Sequence, residues 1–219
     1  MHHLQPISGS CGARRSRAPR FVHGILLVAL VLAWTPPVQA DDDDNRFNRS
    51  PVQVDVPAVT LVDQHGDPVL LRDVLLADRP VLVEFIFASC TTVCPVMSAG
   101  YASVQRKLGD DGGRVSLVSI TIDPEHDTPG ELRKYLERYR ARPGWTFLTG
   151  TREQIDQVMR AFDAYVTNKM AHRPLTFVHS PGSDRWVRLQ GFVGSADLLE
   201  EIHEAEKHED GHDGERGES

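Results

Sequence analysis

With 219 residues, 40% hydrophobic and 25% charged, the chain has the size and composition of one soluble globular domain with tails. Its formal charge is −7; if a leader is removed, the four arginines before position 41 go and no acid does, leaving 20 Lys+Arg against 31 Asp+Glu, or −11. So acidic a surface argues against nucleic acid and anionic membrane surfaces as partners, and is compatible with a cationic or metal cargo.

The leader is read from residues 1–40. Arg14, Arg15, Arg17 and Arg20 precede an apolar stretch, 21–34, too short to span a bilayer comfortably, and then a turn-prone segment ending Val38-Gln39-Ala40. This is the layout of a secretory signal cleaved after Ala40, with an uncleaved anchor as the alternative. The chain is therefore expected outside the cytoplasm, in the periplasm. Residues 41–52, opening with Asp41 to Asp44, read as an acidic and polar linker. Residues 53–206 read as the folded domain. From Lys207 onward Glu, Asp, Gly and His dominate, with no apolar residue, so 207–219 read as a disordered tail.

Within the domain, 54–63 is a predicted strand, followed by a turn at Gly66-Asp67-Pro68 and a short return at 69–71. The run 81–87, rich in β-branched and aromatic residues, predicts a buried central strand. Helical spacing over 95–108 puts Val96, Ala99, Val104 and Leu108 toward the core. A second buried strand is predicted at 115–122. Thr128 as N-cap, Pro129 at N1 and Glu131 as the far half of a capping box start a helix that runs to about Arg140. Then follow a strand at 145–148, a helix at 152–165, paired strands at 174–178 and 186–189, and a helix at 196–205. Strands alternating with helices predict an α/β fold, a mixed sheet covered on both faces and preceded by a β-hairpin.

Cys11 lies in the leader, so Cys90 and Cys94 are the only cysteines of the exported chain. A bridge between them closes almost no loop and would be a poor staple. A dithiol/disulfide switch or a metal site is the better reading. The pair sits where a buried strand gives way to a helix. The i, i+4 spacing brings both sulfurs to one face, and helix-terminal N–H groups favour thiolates, which are soft donors suited to copper. The spacing is C-x-x-x-C, one residue longer than the C-x-x-C of a thioredoxin-type reductase.

Phe85-x-Phe87-x-x-Cys90-x-x-x-Cys94-Pro95, Ile120-Thr121-Ile122-Asp123-Pro124-x-x-Asp127-Thr128-Pro129, Trp145-x-x-Leu148-Thr149-Gly150 and a late histidine occur together in this order. In this the chain resembles the Sco/SenC copper-chaperone family over about 54–202. The resemblance implies a thioredoxin-like fold. It implies copper, as Cu(I) or Cu(II), held by Cys90, Cys94 and a distant histidine. It also implies delivery to the binuclear copper centre of cytochrome c oxidase, whose apo copper-bearing subunit, or a similar exported cuproprotein, is the partner. Some members also act as thiol-disulfide reductants. Such an oxidoreductase, reducing cysteines of the oxidase subunit or other exported proteins, is the alternative function. A thiol peroxidase is a weaker third, because no motif sets an arginine beside the thiolate.

Counting back from Pro181, the family's histidine corresponds to His172. His179 is its rival, about 20 Å away along an extended strand. Where the family usually has Asp before this histidine, the chain has Ala171, which removes a hydrogen-bond acceptor for the imidazole. Asp123, near the metal in the family, either tunes thiol and imidazole protonation or caps the Pro124 turn. Met170 is a candidate supporting thioether, while Met97 reads as packing. Asp127 reads as a helix cap and His126 as a solvated loop residue. His203, His208 and His212 are a loose metal-capture set or simply part of a polar tail.

Overall fold

The computed structural model describes residues 47–210, the side chains of 110–112 and 208–210 aside. The expected leader with Cys11 and the last part of the tail with His212 lie outside the described residues. The elements are β1 (Phe47–Val52), β2 (Thr60–Asp63), β3 (Pro68–Leu70), α1 (Leu71–Leu75), β4 (Val81–Ile86) and α2 (Val93–Leu108). They continue with β5 (Ser116–Thr121), α3 (Pro129–Arg138), β6 (Trp145–Thr149), α4 (Arg152–Ala161), β7 (Leu175–His179), β8 (Trp186–Gly191) and α5 (Ser195–Asp210).

One mixed sheet carries all the strands in the order β1-β8-β7-β4-β5-β6-β2-β3. β4, β5 and β6 are parallel, and β7 runs antiparallel to β4. All six β4 residues are buried, as their continuous apolar run requires of a strand covered on both faces. On one face α2 and α3 set Tyr101 against Trp145 and Tyr135 against Phe147, at ring separations of 5.7 and 5.6 Å. On the other face Phe85, Phe162 and Phe177 pack edge to face at 5.0–6.0 Å. The predicted hairpin is β2–β3. Its turn needs Gly66, at φ 93°, and is tied by Asp63 Oδ1, which accepts from His65 and Asp67 N–H.

Several expectations are corrected. Residues 47–52 are an edge strand on β8, not a linker. Their sequence, FNRSPV, has no apolar alternation, and Pro51 is tolerated because the strand is at the edge. The strand expected from 54 begins only at Thr60. α1 was not foreseen. α4 ends at Ala161 and not at 165, with Asp163 beyond it at φ 51°. α5 continues to Asp210, into the segment assigned to the tail. On α2 the inward face is Cys94, Met97, Ser98, Tyr101, Ala102, Val104 and Gln105; Val96 and Ala99 are exposed. The polar Ser98 and Gln105 mislead the apolar count, because each finds a partner within the fold: buried Glu84 and Tyr135 for Ser98, the Arg142 carbonyl for Gln105. Thr128 caps α3 as expected, but Glu131 turns to Lys134 instead of closing a box. The capping box is on α4, between Thr151 and Gln154.

Glu84 stands in the middle of β4 with no exposure. Oε1 accepts from Ser98 and Ser119 at 3.2 and 2.7 Å; Oε2 has no hydrogen-bond partner among the described residues. Burial pushes its pKa up to about 8, against the pull of both hydroxyls. The fold therefore holds the neutral acid. Its stabilising contribution is complete below the unfolded value near 4.5 and is lost as pH rises through about 8. Glu84→Gln is expected to melt like the wild type near pH 5 and at a higher temperature at pH 8.5. Thermal unfolding across this range checks it; parallel profiles for the two proteins would show that Glu84 does not titrate in this window.

Candidate metal centre

Cys90 lies in the loop after β4, and Cys94 in the first turn of α2, which begins one residue before it. Pro95 is tolerated there because first-turn N–H groups have no intrahelical acceptor. Both thiols are free and buried. They are not equivalent. Burial alone would push Cys90 up, but hydrogen bonds from the Cys94 side chain, from the Cys94 and Thr92 backbone and from the Thr92 hydroxyl hold it below the ordinary thiol range. Thr92 Oγ1 lies 3.7 Å from Cys90 Sγ and makes no cap bond to the helix. Cys94, fully buried, is pushed far above that range by desolvation, and its hydrogen bond to Cys90 acts in the same direction. The pair is thus one thiolate-prone sulfur at the rim and one proton-holding sulfur beneath it.

The cysteine loop is braced from below. Cys90 N–H donates to the Phe87 carbonyl at 3.1 Å. Asp127 Oδ2 accepts from Ala88 N–H at 3.0 Å and from the Thr121 hydroxyl at 2.5 Å. Asp127 is therefore not the cap that the sequence implied; Thr128 is, and Asp127 ties the cysteine loop to the end of β5.

His172 reaches the same edge of the sheet. Thr176 of β7 pairs with Glu84 of β4, so the chain entering β7 runs beside the chain leaving β4. His179 pairs with Val81 at the start of β4, at the opposite edge from the cysteines. There its Nε2 donates to the Ser183 carbonyl at 2.9 Å and its ring packs at a tilt against Trp186, beside a cavity of about 940 Å³. His172 is 8% exposed, and neither ring nitrogen has a hydrogen-bond partner among the described residues. Burial lowers its pKa to about 4, so at neutral pH it is an uncharged imidazole with a free lone pair. An orphaned buried imidazole is costly; the His172 nitrogens and the two sulfurs do not all lie within 4.8 Å of one another among the described residues, so the structure places the three on one side of the sheet without closing them into a site.

Asp123, just past β5, is buried, with two cations and a histidine around it. Lys169 Nζ lies 2.5 Å from Oδ2, and His126 Nδ1 and Arg152 Nη2 lie 3.0 and 3.9 Å from Oδ1. Burial would raise its carboxyl; the hydrogen bonds from Lys169 and His126 prevail and hold it below the usual range. His126 is thus an exposed residue with a partner. Asp123, Glu125 and His126 have metal-donor spacing, but Lys169 and Arg152 already balance those carboxylates. Met170 is 71% exposed, while Met97 is part of the core. Lys169 escaped the sequence reading, since a lysine in a polar loop carries no signal. No helix among the described residues is long and apolar enough to cross a membrane.

A family model described as SCO1/SenC matches residues 53–183. The SCO1 protein homolog of Bacillus subtilis is 33% identical over 121 residues, 54% of this chain and 62% of that protein. A solved structure of BsSco, a member of the Sco family of cytochrome c oxidase assembly proteins in which a disulfide switch has been identified, is 27% identical. It superposes with a TM-score of 0.60 over 71% of this chain and 95% of that one. Bradyrhizobium japonicum ScoI with copper bound is 26% identical, with a TM-score of 0.55 over 68% of this chain and 95% of that one. The chain spans about half to two thirds of the length of the curated relatives it matches.

Proposed function

Because this chain belongs to the SCO1/SenC family, we propose that it is an extracytoplasmic copper carrier that holds the ion on Cys90, Cys94 and His172. It passes the ion to the copper-bearing subunit of cytochrome c oxidase by ligand exchange. The observation that carries this reading is the buried, uncharged His172 ring with both nitrogens unpartnered, on the sheet edge where the two free thiols lie. Two soft sulfurs and one imidazole are a donor set that copper favours. The cysteines must be reduced to bind, so redox state gates loading. Periplasmic location follows from the leader-like segment and remains part of the proposal.

The inequality of the thiols favours a second reading. A rim thiolate that attacks and a buried thiol that resolves form the working pair of a thiol-disulfide oxidoreductase. One experiment separates the two. Reduced protein is titrated with copper, by chelator competition for Cu(I) and by the sulfur-to-copper absorption band for Cu(II). Wild type is expected to bind one copper tightly. His172→Ala is expected to lose more than the roughly 10–100-fold that a supporting hydrogen-bond partner costs, and His179→Ala to bind as wild type. Wild type that reduces a model disulfide without binding copper tightly defeats the carrier reading. Normal binding by His172→Ala with loss in His179→Ala reverses the ligand assignment.

A further inference from the structure

The His172 ring makes no hydrogen bond of its own among the described residues. Packing and the backbone that carries it therefore set its direction. That backbone is a tight turn: Asn168 Oδ1 accepts from Met170 N–H at 2.9 Å, the Asn168 carbonyl from Ala171 N–H at 2.9 Å, and the Lys169 carbonyl from His172 N–H at 3.2 Å. The turn is fastened to the cysteine edge by the Lys169 side chain. Its ammonium contacts buried Asp123 at the end of β5 at 2.5 Å and lies 5.3 Å from the centre of the Phe87 ring. Phe87 in turn accepts the Cys90 N–H. One side chain thus joins the strand end, the cysteine loop and the histidine loop.

We propose that Lys169 is a positioning residue for the metal centre: through Asp123 and Phe87 it fastens the histidine turn to the cysteine loop, so that His172 stays on the side of the sheet from which it can close on the two sulfurs when copper binds. The proposal rests on the copper-carrier reading for its purpose, but its mechanical part stands on the metal-free protein. An ordinary exposed ion pair would add little. Here the carboxylate is 4% exposed, and the ammonium, about one-third exposed, has an aromatic face as a second contact. Loosening the turn lowers the fraction of molecules with His172 in place, and apparent affinity falls by that fraction.

The test uses Lys169→Met, which keeps an unbranched aliphatic side chain without the charge, with Lys169→Arg as the charge-conserving variant and Asp123→Asn as the other half of the contact. Hydrogen exchange on metal-free protein is expected to show lost protection in 168–173 and at Cys90 for Lys169→Met, and restored protection for Lys169→Arg. Copper affinity is expected to fall about tenfold in Lys169→Met, with weakened nitrogen coupling in the Cu(II) resonance spectrum. Lys169→Met/Asp123→Asn is expected to lose no more than the worse single variant, since both remove one contact. Unchanged protection in Lys169→Met overturns the proposal whatever copper does. Wild-type copper affinity with intact nitrogen coupling in a loosened turn overturns its link to the site. Failure of the wild type to bind copper defeats the carrier reading instead, and leaves the exchange result to decide the mechanical part.

Discussion

Cys94→Ser is expected to reduce copper affinity by at least about 10³-fold, well beyond the 10–100-fold effect of losing a supporting partner. A serine hydroxyl fits the space but is a hard, neutral donor where copper wants a soft thiolate. In the wild type Cys94 is fully buried and its thiol is held protonated by desolvation. Copper must displace that proton. Binding to wild type is therefore expected to strengthen with pH, by about tenfold per pH unit for each proton released. Cys94→Ser loses the part of that slope due to Cys94 and keeps any due to Cys90. Chelator-competition titrations of Cu(I) at pH 6, 7 and 8 measure both quantities. Affinity within tenfold of wild type would place the copper elsewhere.

Asp127→Ala carries the second large effect, on the platform and not on the ligands. It removes the acceptor shared by Ala88 N–H and by the fully buried Thr121 hydroxyl. Each orphaned donor costs about 1–3 kcal/mol, so a loss of about 3 kcal/mol is expected. That corresponds to a melting point lower by roughly 10 °C in a domain of this size. The cysteine loop should loosen as well, with faster alkylation of Cys90 under native conditions. Asp127→Asn retains an acceptor oxygen and should keep most of both properties. A wild-type melting point for Asp127→Ala would mean that the brace contributes nothing to stability.

The two predictions differ in how readable their residues are from sequence. Cys94 announces itself, since two cysteines at i, i+4 after a continuous apolar run have few uses. Asp127 stands directly before Thr128 and Pro129, where a capping role is the local reading; its real partners are 39 and 6 residues away. The same limit explains α2. Ser98 and Gln105 look like outward residues until Glu84, Tyr135 and Arg142 are brought to them. It also explains β1, whose polar sequence becomes a strand because β8 offers it an edge.

His172 was singled out by the resemblance to the Sco/SenC family; the sequence alone determined the alternating α/β order, the central β4 strand, the hairpin and the cysteine pair at a strand-to-helix junction. These follow from periodicity, turn chemistry and residue type, which act over a few neighbours and are written in the chain. Tertiary structure alone decided which strand end faces the cysteines, that the two thiols differ, and that Asp127 and Lys169 hold the cysteine and histidine loops. Those properties depend on strand register, on desolvation and on contacts between residues as many as 46 positions apart. Each is set by how the whole chain packs, so no local pattern in the sequence encodes it.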